Sequence, residues 1–392
     1  GGGLHAAVAG AVVITGPTIT NNAAALEGGG FRFVGGATLS MTQSTVADNT
    51  AATAAGGLFS NGAISITESA FERNTATAGA GGLWLGVGSV VTAQSVDFVD
   101  NAGGAHSGAV VLAGVTHDFD GGRVEGNQAN FAGGFNVADG ATTIENMVFT
   151  SNESFTSSAG GLASQFAATL VVRDSEFTAN TSAVAGGGLW IAGGAATRGR
   201  VVVTGNNAGR GGGVNAGAGP VTIENSTISG NAGDFGGGLA TIGPVLLTNT
   251  TLYGNAATTD GGGLLADGTA GSTPDITLQN TLIVSNTDAA GADNCAVGAG
   301  GGSFTSEDGN LSDDATCTAL TQPADQSNTA AGLDTALADN GGPTLTHALQ
   351  SGSAAIDAAV GTNCPAADQR GAPRVGTCDI GAVEFGSTPP GS

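Results

Sequence analysis

A repeat of about 26 residues runs through most of this 392-residue chain and constrains its fold more than any other feature. In each repeat, small residues, mostly a glycine pair or triplet, precede one apolar residue. Successive apolar markers lie 25 or 27 residues apart, at Leu4, Phe31, Leu58, Leu83, Val110, Phe135, Leu162, Leu189, Val214, Leu239 and Leu264. A period of this length predicts one solenoid, although the length alone would suggest two or three domains.

Asparagine is the second marker of each repeat. An apolar residue lies three positions before every one of these asparagines, as Phe71 does before Asn74. The asparagines are Asn22, Asn49, Asn74, Asn101, Asn127, Asn152, Asn180, Asn206, Asn231, Asn255 and Asn286. We expect the apolar residues of both markers to point inward and to stack in columns.

Short alternating segments connect the markers. In 221–228, for example, Val, Ile and Thr alternate with polar or small residues, which is the periodicity of a strand. Glycine interrupts every stretch that could form a helix, and the Leu-x-x-Leu-x-Leu pattern of leucine-rich repeats is missing. The pattern therefore predicts an all-β chain: a right-handed parallel β-helix of about eleven triangular coils over residues 1–286.

The asparagines and glycines have predicted structural roles in such coils. Asparagine tolerates a left-handed backbone, and its amide can form hydrogen bonds along a stack, so we expect a ladder at one turn. Its central members would be Asn49, Asn74, Asn101, Asn127, Asn152 and Asn180. The glycine pairs would form corners too tight for a Cβ atom.

Composition excludes several classes of protein. Glycine contributes 71 residues without a Gly-X-Y register, which excludes collagen, and the 40% hydrophobic content is too high for a disordered chain. All nine cations are arginine against 32 acidic residues, a net charge of −23 that disfavours binding to nucleic acid or to anionic lipid. No apolar run approaches the ~20 residues of a membrane span, so we expect no membrane insertion of this chain. The start at Gly1 without a signal-peptide pattern suggests a mature or trimmed product.

Two sets of motifs resemble known families. Phe71–Asn74, Phe98–Asn101, Phe149–Asn152 and Phe177–Asn180 pair a Phe-x-x-Asn motif with the glycine marker, which resembles the repeats of polymorphic outer-membrane proteins. The C-terminal region is similar to bacterial choice-of-anchor Q surface proteins in Asn340–Leu349, Ala355–Asp357, Asp368–Gly371, Cys378–Ala382 and Glu384. These resemblances imply a secreted or cell-surface bacterial β-helix and bring no catalytic residues.

All four cysteines lie after residue 290. Three pairings are possible, and the one with the smallest loops joins Cys295 to Cys317 and Cys364 to Cys378. No spacing indicates zinc, so disulfides in an oxidising compartment are expected. They would hold an irregular C-terminal cap, residues 287–385, which precedes a proline-containing tail, residues 386–392.

The residue after each apolar glycine marker should point outward. This column contains Phe59, Trp84, Val111 and Trp190, and the first three would lie on adjacent coils. An exposed apolar stripe of this kind would contact another protein or stack on a glycan.

Charged residues also keep a register between coils. Arg73 aligns with Asp48 and Asp100, and Arg123 aligns with Asp97, so we expect ion pairs between coils. The densest ionisable cluster is interpreted as a solvated loop, and it comprises Asp97, Asp100, His106, His117, Asp118 and Asp120. In the cap, Asp368, Arg370, Asp379 and Glu384 could gather a metal, but an arginine held by carboxylates is favoured.

The sequence favours a non-enzymatic structural protein outside the cell: a rigid rod acting as a filament protomer or adhesin stalk. The first coil, from Leu4, offers an open edge for head-to-tail self-association. The alternatives are a glycan-binding adhesin and a polysaccharide lyase or hydrolase. The enzyme alternative lacks the expected signatures, since no catalytic lysine is possible, and we predict no catalytic residue, metal or cofactor.

Overall fold

The computed structural model describes residues 2–7, 9–165, 168–268, 272, 274–361 and 364–390. The chain divides into two compact units. Unit 1 comprises Gly1–Val171 and Ala179–Gly194, and unit 2 comprises Val172–Thr178 and Ala195–Ser392. The described residues form strands, turns and bends, with no helix among them.

The strands that follow the glycine marker form one face of the coils, the glycine face. Unit 1 contributes Leu4–Ala6, Phe31–Phe33, Leu58–Ser60, Leu83–Leu85, Val110–Leu112, Phe135–Val137, Leu162–Ser164 and Leu189–Ile191. Unit 2 contributes Val214–Ala216, Leu239–Thr241, Leu264–Ala266 and Cys295–Val297.

A second face, the long face, carries the alternating segments before each asparagine. In unit 1 its strands are Gly10–Thr15, Thr18–Thr20, Ala37–Thr42, Thr45–Ala47, Ala63–Glu72, Val90–Val99, Thr116–Glu125 and Ala141–Thr150. The strand Thr169–Arg173 crosses the boundary along the chain: its first three residues are assigned to unit 1 and its last two to unit 2. In unit 2 the strands are Glu176–Thr178, Ala196–Gly199, Val202–Thr204, Val221–Glu224, Thr227–Ser229, Val245–Thr248, Thr251–Tyr253, Asp275–Gln279, Leu282–Val284, Ser303–Ser306 and Leu311–Ser312.

The third face, the asparagine face, follows the asparagine markers and has strands of two to five residues. Those of unit 1 are Ala23–Ala24, Thr50–Ala51, Thr75–Ala76, Gln128–Ala129, Glu153–Ser154 and Thr181–Ala185. Those of unit 2 are Asn207–Arg210, Ala232–Phe235, Ala256–Asp260, Thr287–Asp288 and Gly291–Ala292.

Strands of successive coils pair in parallel, one repeat apart. Leu4 pairs with Phe31, and Phe31 with Leu58, so the glycine markers align from coil to coil. The predicted parallel β-helix is confirmed: the glycine face has eight strands in unit 1 and four in unit 2, about twelve turns in place of the predicted eleven. The coil strands continue past 286 as far as Ser312, because a hairpin after Asn286 brings Asn294 into the next ladder position.

Each unit buries its own apolar columns inside the coils. In unit 1, Phe71 stacks on Phe98 with ring centroids 5.2 Å apart, and Phe98 contacts Phe135 edge-on at 5.5 Å. The apolar residues that precede the asparagines of unit 2, such as Ile228 and Leu252, are also fully buried. The repeated register therefore places the same kind of side chain at the same depth in successive coils.

The asparagines form a ladder within each unit. Asn101 donates its backbone N–H and its Nδ2 to Oδ1 of Asn127, at 2.9 and 3.0 Å, and Nδ2 also donates to the Phe71 carbonyl at 2.8 Å. The ladder of unit 1 runs through Asn22, Asn49, Asn74, Asn101, Asn127, Asn152 and Asn180. That of unit 2 runs through Asn206, Asn231, Asn255, Asn286 and Asn294.

We expected the asparagine to be the left-handed residue of this turn. The left-handed residue is instead the one before it. Asp48, Arg73 and Asp100 have φ of 56°, 51° and 55°. The asparagine itself is thereby free to point inward. The glycine corner is as tight as expected: a Cβ atom on Gly57 would lie 2.5 Å from the carbonyl oxygen of Gly82.

Candidate functional site

The outward column of the glycine face is not the exposed stripe that the sequence predicted. Phe59 is only 7% exposed and Val111 only 2%. Trp84 and Trp190 are partly buried, each in an edge-on ring contact, with His106 at 5.0 Å and with Phe131 at 5.6 Å. The expectation of a continuous apolar surface is therefore wrong.

Small residues that precede the glycine pairs cover this column. Ala54 and Ala55 form a buried cluster with Phe59, against which Trp84 packs. Parallel bridges join Ala55 to Ala80, Ala80 to Ser107 and Ser107 to Ala132 on successive coils. The sequence carries a signal for this cover, a small residue three positions before each apolar glycine marker, but the predicted stripe did not take it into account.

Two of the predicted ion pairs between coils form on the surface, whereas the second partner of Arg73 is its neighbour Glu72 and not the predicted Asp100. Arg73 donates to both carboxylate oxygens of Asp48, at 2.9 and 3.1 Å, and these bonds raise its pKa further above its ordinary value. Arg123 donates to Asp97 at 3.1 Å. The side chains are about half exposed for both arginines, so each pair contributes roughly 1 kcal/mol or less and mainly fixes the register of the coils.

The ionisable cluster of unit 1 is divided between the inside and the outside of the coils. His117 is fully buried, contrary to the predicted solvated loop, and its Nδ1 lies 2.9 Å from Oγ1 of Thr142. Burial lowers the pKa of His117 to about 4. Asp118 and Asp120 point outward into a shallow groove of about 320 Å³ that Glu145 also lines. The imidazole and these carboxylates thus lie on opposite sides of one strand.

The cap is closed by the two predicted disulfides. Cys295 is bonded to Cys317 and Cys364 to Cys378, which confirms the pairing with the smallest loops. Every described cysteine is paired in this way. Disulfides of this kind are consistent with an oxidising environment.

Buried arginines organise the carboxylates of the cap. Arg370 donates Nε and Nη2 to Asp368 at 2.9 and 2.7 Å, and Arg374 donates to Glu384 at 3.3 Å. Burial lowers the pKa of Arg374 and raises that of Asp379, since both groups lose solvent. The carboxylates are held by arginine and backbone N–H groups, the structural arrangement that the sequence favoured.

The cap covers the turns of the unit 2 coils through a row of asparagines. Asn225, Asn249 and Asn280 donate Nδ2 to the carbonyls of Ala367, Asp379 and Val360, at 2.8, 3.2 and 3.1 Å. They share one position, six residues before a ladder asparagine, and we call them the cap-facing asparagines. The sequence did not predict this role, because the same position carries other residues in most of the remaining coils, and where it is asparagine in unit 1, at Asn146, the side chain is exposed.

Neighbouring hydroxyls strengthen the same contact. Thr227 donates to Oε1 of Gln369 at 2.6 Å, and Oγ of Ser229 lies 2.8 Å from Nε2 of His347. Burial lowers the pKa of His347. The interface thus buries neutral polar groups in mutual hydrogen bonds, which limits the free energy cost of removing them from water.

The first coil exposes the interior of unit 1. Leu4 is 41% exposed, whereas Leu58 and Leu83, at the same position of later coils, are fully buried. A cavity of about 560 Å³ is lined by Leu4, Val12, Ile14, Ile19 and Phe31, among others. The described strands of this coil pair with the coil that begins at Phe31.

The described residues contain neither a membrane-spanning helix nor a metal-binding cluster. No helix there has the length and apolar character that crossing a bilayer requires. Nor does any group of three or more His, Cys, Asp or Glu side chains in that part of the chain have an arrangement that could hold a metal ion.

Comparison with known proteins adds no family to this description. No family model matches the chain, and neither the curated proteins nor the solved structures contain a match.

Proposed function

We propose that this chain is a non-enzymatic structural protein of the bacterial cell exterior, whose coils form a rigid spacer in a filament or an adhesin stalk. The observation that carries the proposal is the in-register stacking of coils, each joined to the next by parallel strands and by a buried asparagine ladder. Such a stack distributes load over many backbone hydrogen bonds. The disulfides support a location outside the cytoplasm.

The division of the acidic cluster supports a structural role in preference to catalysis. Acid–base chemistry needs two groups that reach the same region of a substrate. His117 faces the interior, while Asp118 and Asp120 face solvent, so the imidazole and the carboxylates cannot act on one substrate. The buried Phe59 and Val111 likewise leave no stacking surface for a sugar at those positions.

The open first coil supports head-to-tail association with a second copy. Its cavity is lined by apolar side chains that another coil or cap would cover. Because the contact joins different surfaces of the two copies, it would extend into a filament.

Electron microscopy and light scattering over a range of concentrations test this association. We expect filaments that lengthen with concentration. Val12→Glu places a charge at the cavity and should abolish them, whereas Val87→Glu, at a valine that is 87% exposed and does not line this cavity, should preserve them as the matched control. A monodisperse monomer at every concentration contradicts the filament role, and release of sugar products from an acidic polysaccharide contradicts the non-enzymatic role.

A further inference from the structure

One inward column of unit 2 contains a single charged residue. The position eight residues before each ladder asparagine is apolar in Val172, Ile223, Leu247 and Leu278, but it is arginine at Arg198. Arg198 pairs in register with Ile223, and its side chain is fully buried. The repeat in the sequence and the structure therefore independently place this guanidinium inside the coils.

The inward position next to Arg198 on its strand carries a smaller residue than in later coils. Ala196, two residues earlier on the same inward face, is buried where later coils carry Val221, Val245 and Ile276. The inward face of this strand therefore combines one small residue with the long arginine side chain.

The guanidinium of Arg198 has no acceptor among the described residues. Its Nε, Nη1 and Nη2 are all buried and without a hydrogen-bond partner there. Four other arginines of unit 2 have carboxylate partners, namely Arg200 with Asp174, Arg210 with Asp267, Arg370 with Asp368 and Arg374 with Glu384. Arg198 is thus a cation with five N–H donors in an apolar interior.

This cation remains charged at neutral pH. Burial lowers the pKa of Arg198 to about 9, which at pH 7 leaves the protonated form in excess by roughly a hundredfold. An isolated buried charge is strongly destabilising, whereas a buried charge with a counter-ion is tolerated.

We propose that Arg198 binds a small monovalent anion, of which chloride is the simplest, inside the coils of unit 2. A single negative charge balances the guanidinium, whereas a dianion such as phosphate would leave excess charge among apolar residues. A spherical halide also accepts several N–H donors at once and needs no further polar group from the chain. The site is enclosed, so the anion is bound as the coils fold and serves as a structural ion.

Thermal unfolding of the full chain in sodium bromide tests this proposal against sodium gluconate at the same ionic strength. The wild type should unfold at a midpoint at least about 2 °C higher in bromide. Arg198→Leu should show no difference, because it completes a column that already holds leucine at Leu247 and Leu278. Arg210→Leu is the matched control: it removes the same charge from a partly exposed ion pair and should keep the bromide effect.

Crystals grown in bromide give a second, independent readout from the wild type. We expect an anomalous peak within hydrogen-bond distance of the Arg198 guanidinium. A water molecule without anomalous signal at that place overturns the proposal, as does an equal bromide effect in all three proteins or no effect in the wild type. These outcomes leave the proposed structural role intact, since that role depends on the association of copies and on the absence of turnover.

Discussion

The same backbone turn carries exposed side chains in unit 1 and, at three positions of unit 2, asparagines that bond to the cap. Six residues before each ladder asparagine from Asn22 to Asn286 the chain takes a left-handed conformation, as in Glu68 and Asn146 of unit 1 and Asn249 of unit 2. In unit 1 these side chains are exposed and bond to neighbours on the surface, as Asn146 does to Asp120 at 2.7 Å. In unit 2, Asn249 is fully buried and bonds to the cap.

The difference shows that the left-handed turn of a coil is compatible with a cap contact but does not by itself produce one. Asparagine tolerates the left-handed turn and is neutral, so the cap can bury it at little electrostatic cost. A charged residue such as Glu68 would lose its hydration under the same cover. The identity of one side chain in each coil therefore decides whether that turn faces solvent or protein.

The largest expected effect concerns the feature that the units share, the asparagine ladder. Asn101→Ala in unit 1 and Asn255→Ala in unit 2 each leave several buried groups without partners, at about 1 to 3 kcal/mol for each group. We expect both variants to lower the free energy of unfolding by about 4 kcal/mol in urea titrations. Asn130→Ala, at an exposed asparagine, serves as the control. A small loss at one site alone would show that the ladders are not equivalent.

Acid should lower the stability of unit 1 because His117 is buried in its interior. His117 has a pKa of about 4 in the folded chain and about 6.5 in the unfolded chain, so between these values the unfolded state binds the extra proton. Stability is therefore complete above pH 6.5 and falls by up to about 3 kcal/mol as the pH approaches 4. Urea titrations from pH 7 to 4 measure the loss.

The double variant His117→Leu/Thr142→Val replaces both members of this buried polar pair by apolar residues. It should lose about 3 kcal/mol less than the wild type over the same pH range. An unchanged pH dependence would assign the acid effect to other groups, of which His347 in the cap is one.

Removal of the Cys364–Cys378 disulfide should destabilise the cap of unit 2 and leave unit 1 unchanged. Cys364→Ala/Cys378→Ala opens a loop with a sequence separation of 14, which costs about 3 kcal/mol in the chain-entropy model. Hydrogen exchange measured by mass spectrometry should show faster exchange around Asn249 and Asn280, and unchanged exchange around Asn74 and Asn101. Equal acceleration in both units would contradict a cap effect confined to unit 2.

The matched pair Asn249→Gly and Asn146→Gly tests the comparison most directly. Glycine keeps the left-handed turn in both, so only the amide is removed. We expect a loss of about 1.5 kcal/mol at Asn249, whose hydrogen bond is buried, and less than about 0.5 kcal/mol at exposed Asn146. Similar losses at the two sites would mean that the cap contact does not stabilise the turn.

The smallest effect concerns the surface ion pairs. Asp48→Asn removes the charge that faces Arg73 and should lower the free energy of unfolding by less than about 1 kcal/mol, with a smaller loss at high salt. Urea titrations at two salt concentrations measure it. A larger loss would mean that the register of the coils depends on this pair.

Much of the fold could be predicted because it repeats. The glycine and asparagine markers defined the coils, the inward columns and the ladder, since a parallel stack places equivalent residues above one another. The same register predicted the pairing of Arg73 with Asp48 and of Arg123 with Asp97. The disulfide pairing followed from loop length.

The outward faces could not be predicted in the same way. Alternation along a strand showed that Phe59 and Val111 point away from the interior, but not that other parts of the coil cover them. The burial of His117 was also not predicted, because this residue was grouped with its acidic neighbours along the chain and not with the column that it shares with other coils.

The sequence by itself determined which residues stack, because that information is local and is repeated in coil after coil. Only the tertiary structure decided which turns are covered, because the cap reaches Asn225 and Asn280 from 142 and 80 residues away. A contact made once, between segments so distant along the chain, leaves no period in the sequence. It depends on the shape and charge of two surfaces that exist only after the coils have formed.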